Sequence, residues 1–214
     1  LPGLRGAGIR DTACRVMDMA LDDGAGVPDA ALLALYAQGD RAAARALTLR
    51  FTPLALRVAA RMLGDGTEAE DVAQEAMLRL WRVASDWREG EAKVSTWLYR
   101  VTVNLCTDRL RRRRPLPLDE AGDVPEDRPG VLSAMIETDR QAVVQRTVQD
   151  ALARLPERQR QAVVLRHLEG LGNPEIAAVM GIGVEAVESL TARGKRALAA
   201  ALSGQRDELG FDDE

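Results

Sequence analysis

Lysine is nearly absent from this sequence. Of 29 basic side chains only Lys93 and Lys195 are lysines, and arginine supplies the rest. Aromatic residues are equally scarce at 3%, against 46% apolar residues in all, so a core has to be built mostly from Ala, Leu and Val. Such a core suits packed helices and argues against strand-rich sandwiches, which draw on aromatic and β-branched side chains. Cys14 and Cys106 are the only cysteines, and neither stands at a zinc-chelating spacing. A reducing, cytoplasmic compartment is expected. With a single histidine, His167, there is no imidazole pair for a metal, and a structural role is expected for it. No apolar run approaches the roughly 18 to 20 residues that span a bilayer. The opening residues also lack the basic start and continuous apolar stretch of a secretory signal, so no membrane insertion is expected. Finally, 33 acidic residues bring the net charge to −4, so only a local basic patch can favour nucleic acid.

The 214 residues allow one ordinary domain or two small ones. Residues 1–28 are rich in glycine and small side chains and read as a flexible leader. Residues 29–114 are helical in pattern, with breaks expected at Pro53, at Gly64 to Gly66, and over the polar stretch 85–93. Residues 115–139 form a linker, carrying Pro115, Pro117, Pro125 and Pro129 among acidic side chains that cannot bury enough surface to order themselves. Helical periodicity returns over 140–203, and 204–214 is an acidic tail. The expected fold is all-α, with two small helical domains joined by a flexible acidic, proline-rich linker.

The sharpest local pattern is Asn173 to Ala192. Asn173 can cap a helix opened by Pro174, and Gly181 stands where a left-handed helix end is needed. A second helix starts near Val184, and the spacing turns Ile176, Ala177, Met180, Ile182, Val187 and Leu190 inward. This is a helix-turn-helix arrangement, whose second helix lies in the DNA major groove. Glu185, Ala186, Glu188, Ser189 and Arg193 then become candidate base or phosphate contacts, with Lys195 and Arg196 toward backbone phosphates. A plain corner of a helical bundle is the competing reading. Upstream, Val144, Val148, Leu152 and Leu155 repeat at helical spacing, and Pro156 opens another helix that Gly170 closes.

In the amino-terminal half, Thr67 and Glu70 have capping-box spacing. Val72, Ala76 and Leu80, with Ala73, Met77 and Trp81, make a broad apolar face. Asp71, Gln74, Glu75 and Leu78 are left on the exposed row. That row suits a protein-docking surface, a metal site, or a solvated face with Glu75 paired to Arg79. A long helix opened by Ser95 or Thr96 ends in Arg109 and Arg111 to Arg114, where the helix dipole favours positive charge and phosphates can be held. Trp87, Trp97 and Tyr99 adjoin this basic end, and aromatic planes beside arginines suit unstacked bases. Filling the core is the competing role for the tryptophans. Between Asp29 and Arg114 fifteen Arg and Lys face eleven Asp and Glu, so this half is basic within an acidic chain.

The order of these parts, with the motifs EDVAQEAMLRLW, STWLYRVTVNLCTDRLRRR and LPERQRQAVVLRHLEGLGNPEIAAVMGI, resembles the ECF (extracytoplasmic function) sigma factors of bacterial RNA polymerase. The resemblance covers about residues 30–114, similar to the family's domain two, and 140–202, similar to its domain four. It implies a sigma factor that directs promoter recognition, DNA melting and transcription initiation, with no catalytic activity, no cofactor and no metal. It also implies that Asp71, Gln74, Glu75 and Leu78 dock on the RNA polymerase core. Promoter DNA at the minus-ten element would meet Asp86, Trp87, Arg88 and Lys93 of the loop and Trp97, Tyr99, Arg100 and Asn104 of the following helix. Arg109, Arg111, Arg112 and Arg113 would take its phosphates. Glu185, Ala186, Glu188, Ser189, Arg193, Lys195 and Arg196 would serve the minus-thirty-five element. An anti-sigma factor is a further implied partner. Two departures stand out: Ala186 to Thr191 lacks the positive charge common in relatives, and the loop carries Trp87, Glu89 and Glu91. Other classes are a stand-alone helix-turn-helix regulator, which binds duplex DNA without polymerase, and a helical adaptor or metal-dependent nuclease.

Overall fold

The computed structural model describes residues 26–88, 92–113 and 136–203. Most of the expected leader and linker, and all of the acidic tail, lie outside the described residues. Every regular element among them is helical. The order is α1 (Asp29–Ala37), α2 (Arg41–Leu63), α3 (Gly66–Val83), a 3-10 turn (Ala84–Asp86), α4 (Val94–Arg113), α5 (Ile136–Ala153) and α6 (Glu157–Val163). A π turn (Val164–Leu168) continues α6, followed by α7 (Asn173–Met180) and α8 (Val184–Ser203).

Helix α2 begins at Asp40, whose carboxylate accepts from the N–H groups of Ala42 at 2.7 Å and Ala43 at 3.1 Å. It ends at Gly64, which takes a left-handed φ of 71° that a side chain would resist. Pro53 does not break it, contrary to expectation: the helix runs unbroken from Arg41 to Leu63. An interior proline removes one backbone hydrogen bond and costs roughly 3 kcal/mol. Burial on both sides of it offsets that loss, with Ala46, Leu47 and Phe51 before the proline and Ala55, Val58 and Ala59 after it. Helix α3 is capped by Asp65, which accepts from the N–H of Glu68 at 2.9 Å, rather than by Thr67.

The helix-turn-helix forms as expected, with Gly181 at φ 63° between α7 and α8. Its first helix is not capped by Asn173. Instead Glu175 reaches back to accept from the N–H of Gly172 at 3.1 Å. A Cβ at Gly194 of α8 would lie 2.5 Å from Cγ2 of Val163, so only glycine lets these helices approach so closely.

Two apolar clusters build the interior. One lies within the amino-terminal unit and joins Leu32, Leu33, Leu47, Phe51, Ala76, Leu80 and Leu98. The other crosses between units: Val58, Met62, Val72, Tyr99, Val103 and Cys106 pack with Leu152, Val163, Leu165, Ile176, Val179 and Val187. The two helical units therefore share one core. Sequence reading treats them as lobes held by a linker alone, because each has its own periodicity and nothing local marks the contact.

Candidate functional site

The exposed edge of α3 is one candidate surface. Asp71, Gln74 and Leu78 are exposed and Glu75 is half-buried. Leu78 keeps 41% of its surface open although it is large and apolar. It borders a cleft of about 310 Å³ lined by Thr52, Leu56, Gln74, Met77 and Trp81. Around this apolar strip sit Glu75, which pairs with Arg79 at 2.9 Å, and Asp71, which meets Arg109 at 3.4 Å. Exposed pairs of this sort contribute about 0 to 1 kcal/mol, so they leave both carboxylates available.

The second surface is α4 with the turn before it. Trp87 and Trp97 are half-buried and meet edge to face at 6.0 Å, so they border the core as well as the surface. The indole N–H of Trp87 is buried with no partner among the described residues. Asp86, Arg88, Lys93, Arg100 and Asn104 are exposed, while residues 89–91 of the loop lie outside the described residues. Tyr99 differs from its neighbours. It is 8% exposed and lies in the core shared between the two units.

Arginines at the end of α4 are already engaged. Arg109 donates to the carbonyl of Glu68 at 3.4 Å as well as facing Asp71. Arg113 holds Glu68 at 2.6 Å, and Arg111 stands 3.9 Å from Glu157 of α6. Arg112 is exposed.

Sequence reading missed the centre of the contact between units. The side chain of Glu169, just beyond the π turn, is only 2% exposed. Arg61 reaches it at 2.5 Å and Arg57 at 3.4 Å, and the Tyr99 hydroxyl donates to it at 3.3 Å. Arg61 also donates to the carbonyl of Leu168 at 2.8 Å. Removing one partner of a buried pair costs about 3–5 kcal/mol, and both arginines keep water contact, which places this group at or below that range. Burial first, and the Glu169 charge second, push the Tyr99 hydroxyl up to about 12. Burial likewise pushes the Cys106 thiol up to about 12, so it is an unreactive core side chain.

On the helix-turn-helix, Glu185, Ala186, Glu188, Arg193, Lys195 and Arg196 are exposed, and Ser189 is half-buried. Arg193 donates to the Ser189 hydroxyl at 2.6 Å, and Glu188 accepts from Asn173 at 3.3 Å. Glu175 of α7 pairs with Lys93 at 3.1 Å. The Gly172 N–H, followed by Lys93, holds its carboxyl below the usual range. His167 is exposed, and among the described residues no group of three or more His, Cys, Asp or Glu is placed to hold a metal ion. No helix among them is long and apolar enough to cross a membrane.

Comparison with known proteins agrees with this architecture. Residues 47–115 match the family model for Sigma-70 region 2, and residues 145–198 match that for Sigma-70, region 4. The ECF RNA polymerase sigma factor SigM of Mycobacterium tuberculosis (strain H37Rv) is 38% identical over 176 residues, covering 81% of this chain and 84% of its own. The RNA polymerase sigma-H factor of Pseudomonas aeruginosa is 34% identical over 185 residues, covering 81% and 93%. Among solved structures, CnrH in complex with the cytosolic domain of CnrY superposes with a TM-score of 0.61 at 28% identity, covering 82% of this chain and 97% of that one. RpoE from Bartonella quintana, solved with the anti-sigma factor NepR, shares the fold at a TM-score of 0.55 and 20% identity, over 73% and 94%. Two regions in the same order, on an all-helical frame with a terminal helix-turn-helix, lead to one conclusion: the chain belongs to the ECF sigma factor family of RNA polymerase.

Proposed function

We propose that this chain binds the RNA polymerase core through α3 and brings it to promoters read by two surfaces. Asp71, Gln74, Glu75 and Leu78 form the docking face. Trp87, Trp97 and Arg100, with the arginines ending α4, take the opened minus-ten strand, where base stacking contributes about 1–3 kcal/mol per base. The exposed start of α8, with Arg193, Lys195 and Arg196, lies along the minus-thirty-five duplex. The observation that carries this reading is Leu78, a large apolar side chain open to water beside an apolar cleft that Glu70 also lines, on the helix that carries Asp71 and Glu75. A solvated helix face has no use for that combination, whereas a partner helix of opposite charge fits it.

Such a subunit is regulated by being covered, and we propose an anti-sigma protein as the partner that does so. CnrH, which this chain resembles, was solved with the cytosolic domain of CnrY bound to it. The cytoplasm is the compartment in which this function operates. The chain's role is binding and positioning, with no reaction of its own.

The test is in vitro transcription with purified core polymerase and a library of promoters. Discrete start sites that depend on this chain support the reading. Failure to start transcripts at any promoter, with core binding intact, sinks it.

A further inference from the structure

The outer face of α8 begins with carboxylates, where phosphate binding alone would call for cations. Glu185 and Glu188 are both exposed, and they do different things. Glu185 stands in the first turn of α8, where the helix dipole favours negative charge, and its Oε2 folds back beside Gly183, 3.3 Å from where a Cβ would stand there. Its carboxylate serves the start of the helix. Glu188 lies almost one turn further on, and its Oε1 accepts from the side-chain amide of Asn173 at 3.3 Å. Asn173 opens α7 and is half-buried, so this carboxylate is aimed by a neighbour on the other helix of the pair.

The aim matters because of what a carboxylate can meet on a duplex. Phosphates repel it, which excludes a contact with the backbone. In the major groove guanine shows two acceptors, and thymine an acceptor beside its methyl group, so neither offers a hydrogen to an oxygen anion. Adenine offers one through N6, but its N7 acceptor stands next to it and opposes the second carboxylate oxygen. Cytosine presents its N4 amino group with no acceptor of its own beside it on that edge. Arg193, held by the Ser189 hydroxyl at 2.6 Å, lies five residues along, about 7.5 Å up the helix axis, and so addresses a different base pair.

We propose that Glu188, positioned by Asn173, selects cytosine at one position of the minus-thirty-five element by accepting a hydrogen bond from its N4 amino group. The helix thereby reads sequence with an anion and leaves the grip on the backbone to Lys195 and Arg196, exposed further along α8. Guanine or thymine at that position sets the carboxylate against an acceptor, so Glu188 works by rejection as much as by attraction. This rests on the placement of α8 along promoter DNA and adds the identity of a base to it.

The test starts from a promoter at which this chain, with core polymerase, initiates transcripts, randomised across its minus-thirty-five element. Templates bound by the holoenzyme are sequenced for the parent chain and for Glu188→Gln, Glu188→Ala and Asn173→Ala. The parent should enrich cytosine on one strand of one position at least fivefold over guanine and thymine, with adenine between. Glu188→Gln should move the preference at that position to adenine, because an amide pairs with N6 and N7 together. Glu188→Ala should leave no preference there, while every other position keeps its own. Asn173→Ala should weaken the cytosine preference without replacing it, and a chain indistinguishable from the parent overturns the positioning by Asn173. A purely structural glutamate cannot exchange one base for another when its charge is removed. Unchanged preference in both Glu188 variants, or a uniform loss at all positions, therefore overturns the proposal. Transcription by the parent with no cytosine-dependent position overturns it as well and leaves the sigma-factor reading standing, whereas no transcript from any promoter sinks that reading itself.

Discussion

Gln161 of α6 donates to the hydroxyl of Thr107 in α4 at 2.9 Å, and both side chains are buried. The bond joins residues 54 apart in sequence and belongs to the same interface as Glu169. A buried amide that loses its partner costs about 1–3 kcal/mol, whereas removing both polar groups is close to neutral. Thr107→Val is therefore expected to destabilise the chain by about that amount, with Gln161 left only its 3.3 Å contact to Glu157. Thr107→Val combined with Gln161→Leu should recover much of the loss. Urea denaturation of the two single variants and the double closes the cycle, and additive losses would show that the two side chains do not depend on each other.

That pairing also marks where sequence reading stops. The helix-turn-helix is visible in the order of residues because its signals are local: Pro174 at the opening, Gly181 at the turn, and apolar residues at helical spacing. The face of α3 is legible for the same reason, since Val72, Ala76 and Leu80 recur every turn. Local rules fail where two residues satisfy them equally, as with Asp65 and Thr67 at the start of α3. They also fail where burial overrides them, as it does around Pro53. The shared core leaves no local trace, because Arg61 and Glu169 are 108 positions apart and each, taken alone, looks like a solvated charge. Tyr99, read from the sequence as a residue for unstacked bases, lies instead with Val103 and Cys106 in the shared core, because the surface that covers this row comes from the other unit.

On α3, Asp71→Arg with Glu75→Arg reverses charge on the docking face while leaving the apolar side untouched. Both changes also remove exposed ion pairs, to Arg109 and Arg79, which together contribute little to stability. Loss of core polymerase binding by at least a hundredfold is expected, with a melting temperature near that of the parent chain. Size-exclusion co-elution and calorimetry read the two effects separately. Retained core binding in a folded variant removes the docking assignment.

Alkaline pH should loosen the interface before the rest of the molecule. The Tyr99 hydroxyl is raised from 10.0 to about 12 and the Cys106 thiol from 9.0 to about 12, so in each case folding favours the neutral form. A group raised in this way contributes its full share below its unfolded value and loses it as the pH rises through the folded value. The window runs from about 9 for the thiol and 10 for the hydroxyl up to about 12. Stability measured by urea titration should therefore fall across that window. Cys106→Ala should remove the part that begins near 9, and Tyr99→Phe the part that begins near 10. A fall of the same size in the double variant would locate the alkaline sensitivity elsewhere.

The middle of α8 offers a prediction that separates phosphate binding from base reading. Lys195 and Arg196 are exposed, whereas Arg193 is tied to the Ser189 hydroxyl at 2.6 and 3.2 Å, which fixes the direction of its guanidinium. A fixed, planar donor suits reading one position, and a mobile cation suits the backbone. Removing one cation from a phosphate lowers the dependence of log affinity on log salt by about 0.9. Lys195→Gln and Arg196→Gln should each reduce the salt slope of the polymerase–promoter complex by up to that amount while leaving the preferred minus-thirty-five sequence unchanged. Arg193→Gln should instead relax preference at one position. Filter binding across a salt series, with a small set of minus-thirty-five variants, distinguishes the two. If all three changes leave both slope and preference unaltered, α8 does not lie on DNA, and domain four serves the polymerase instead.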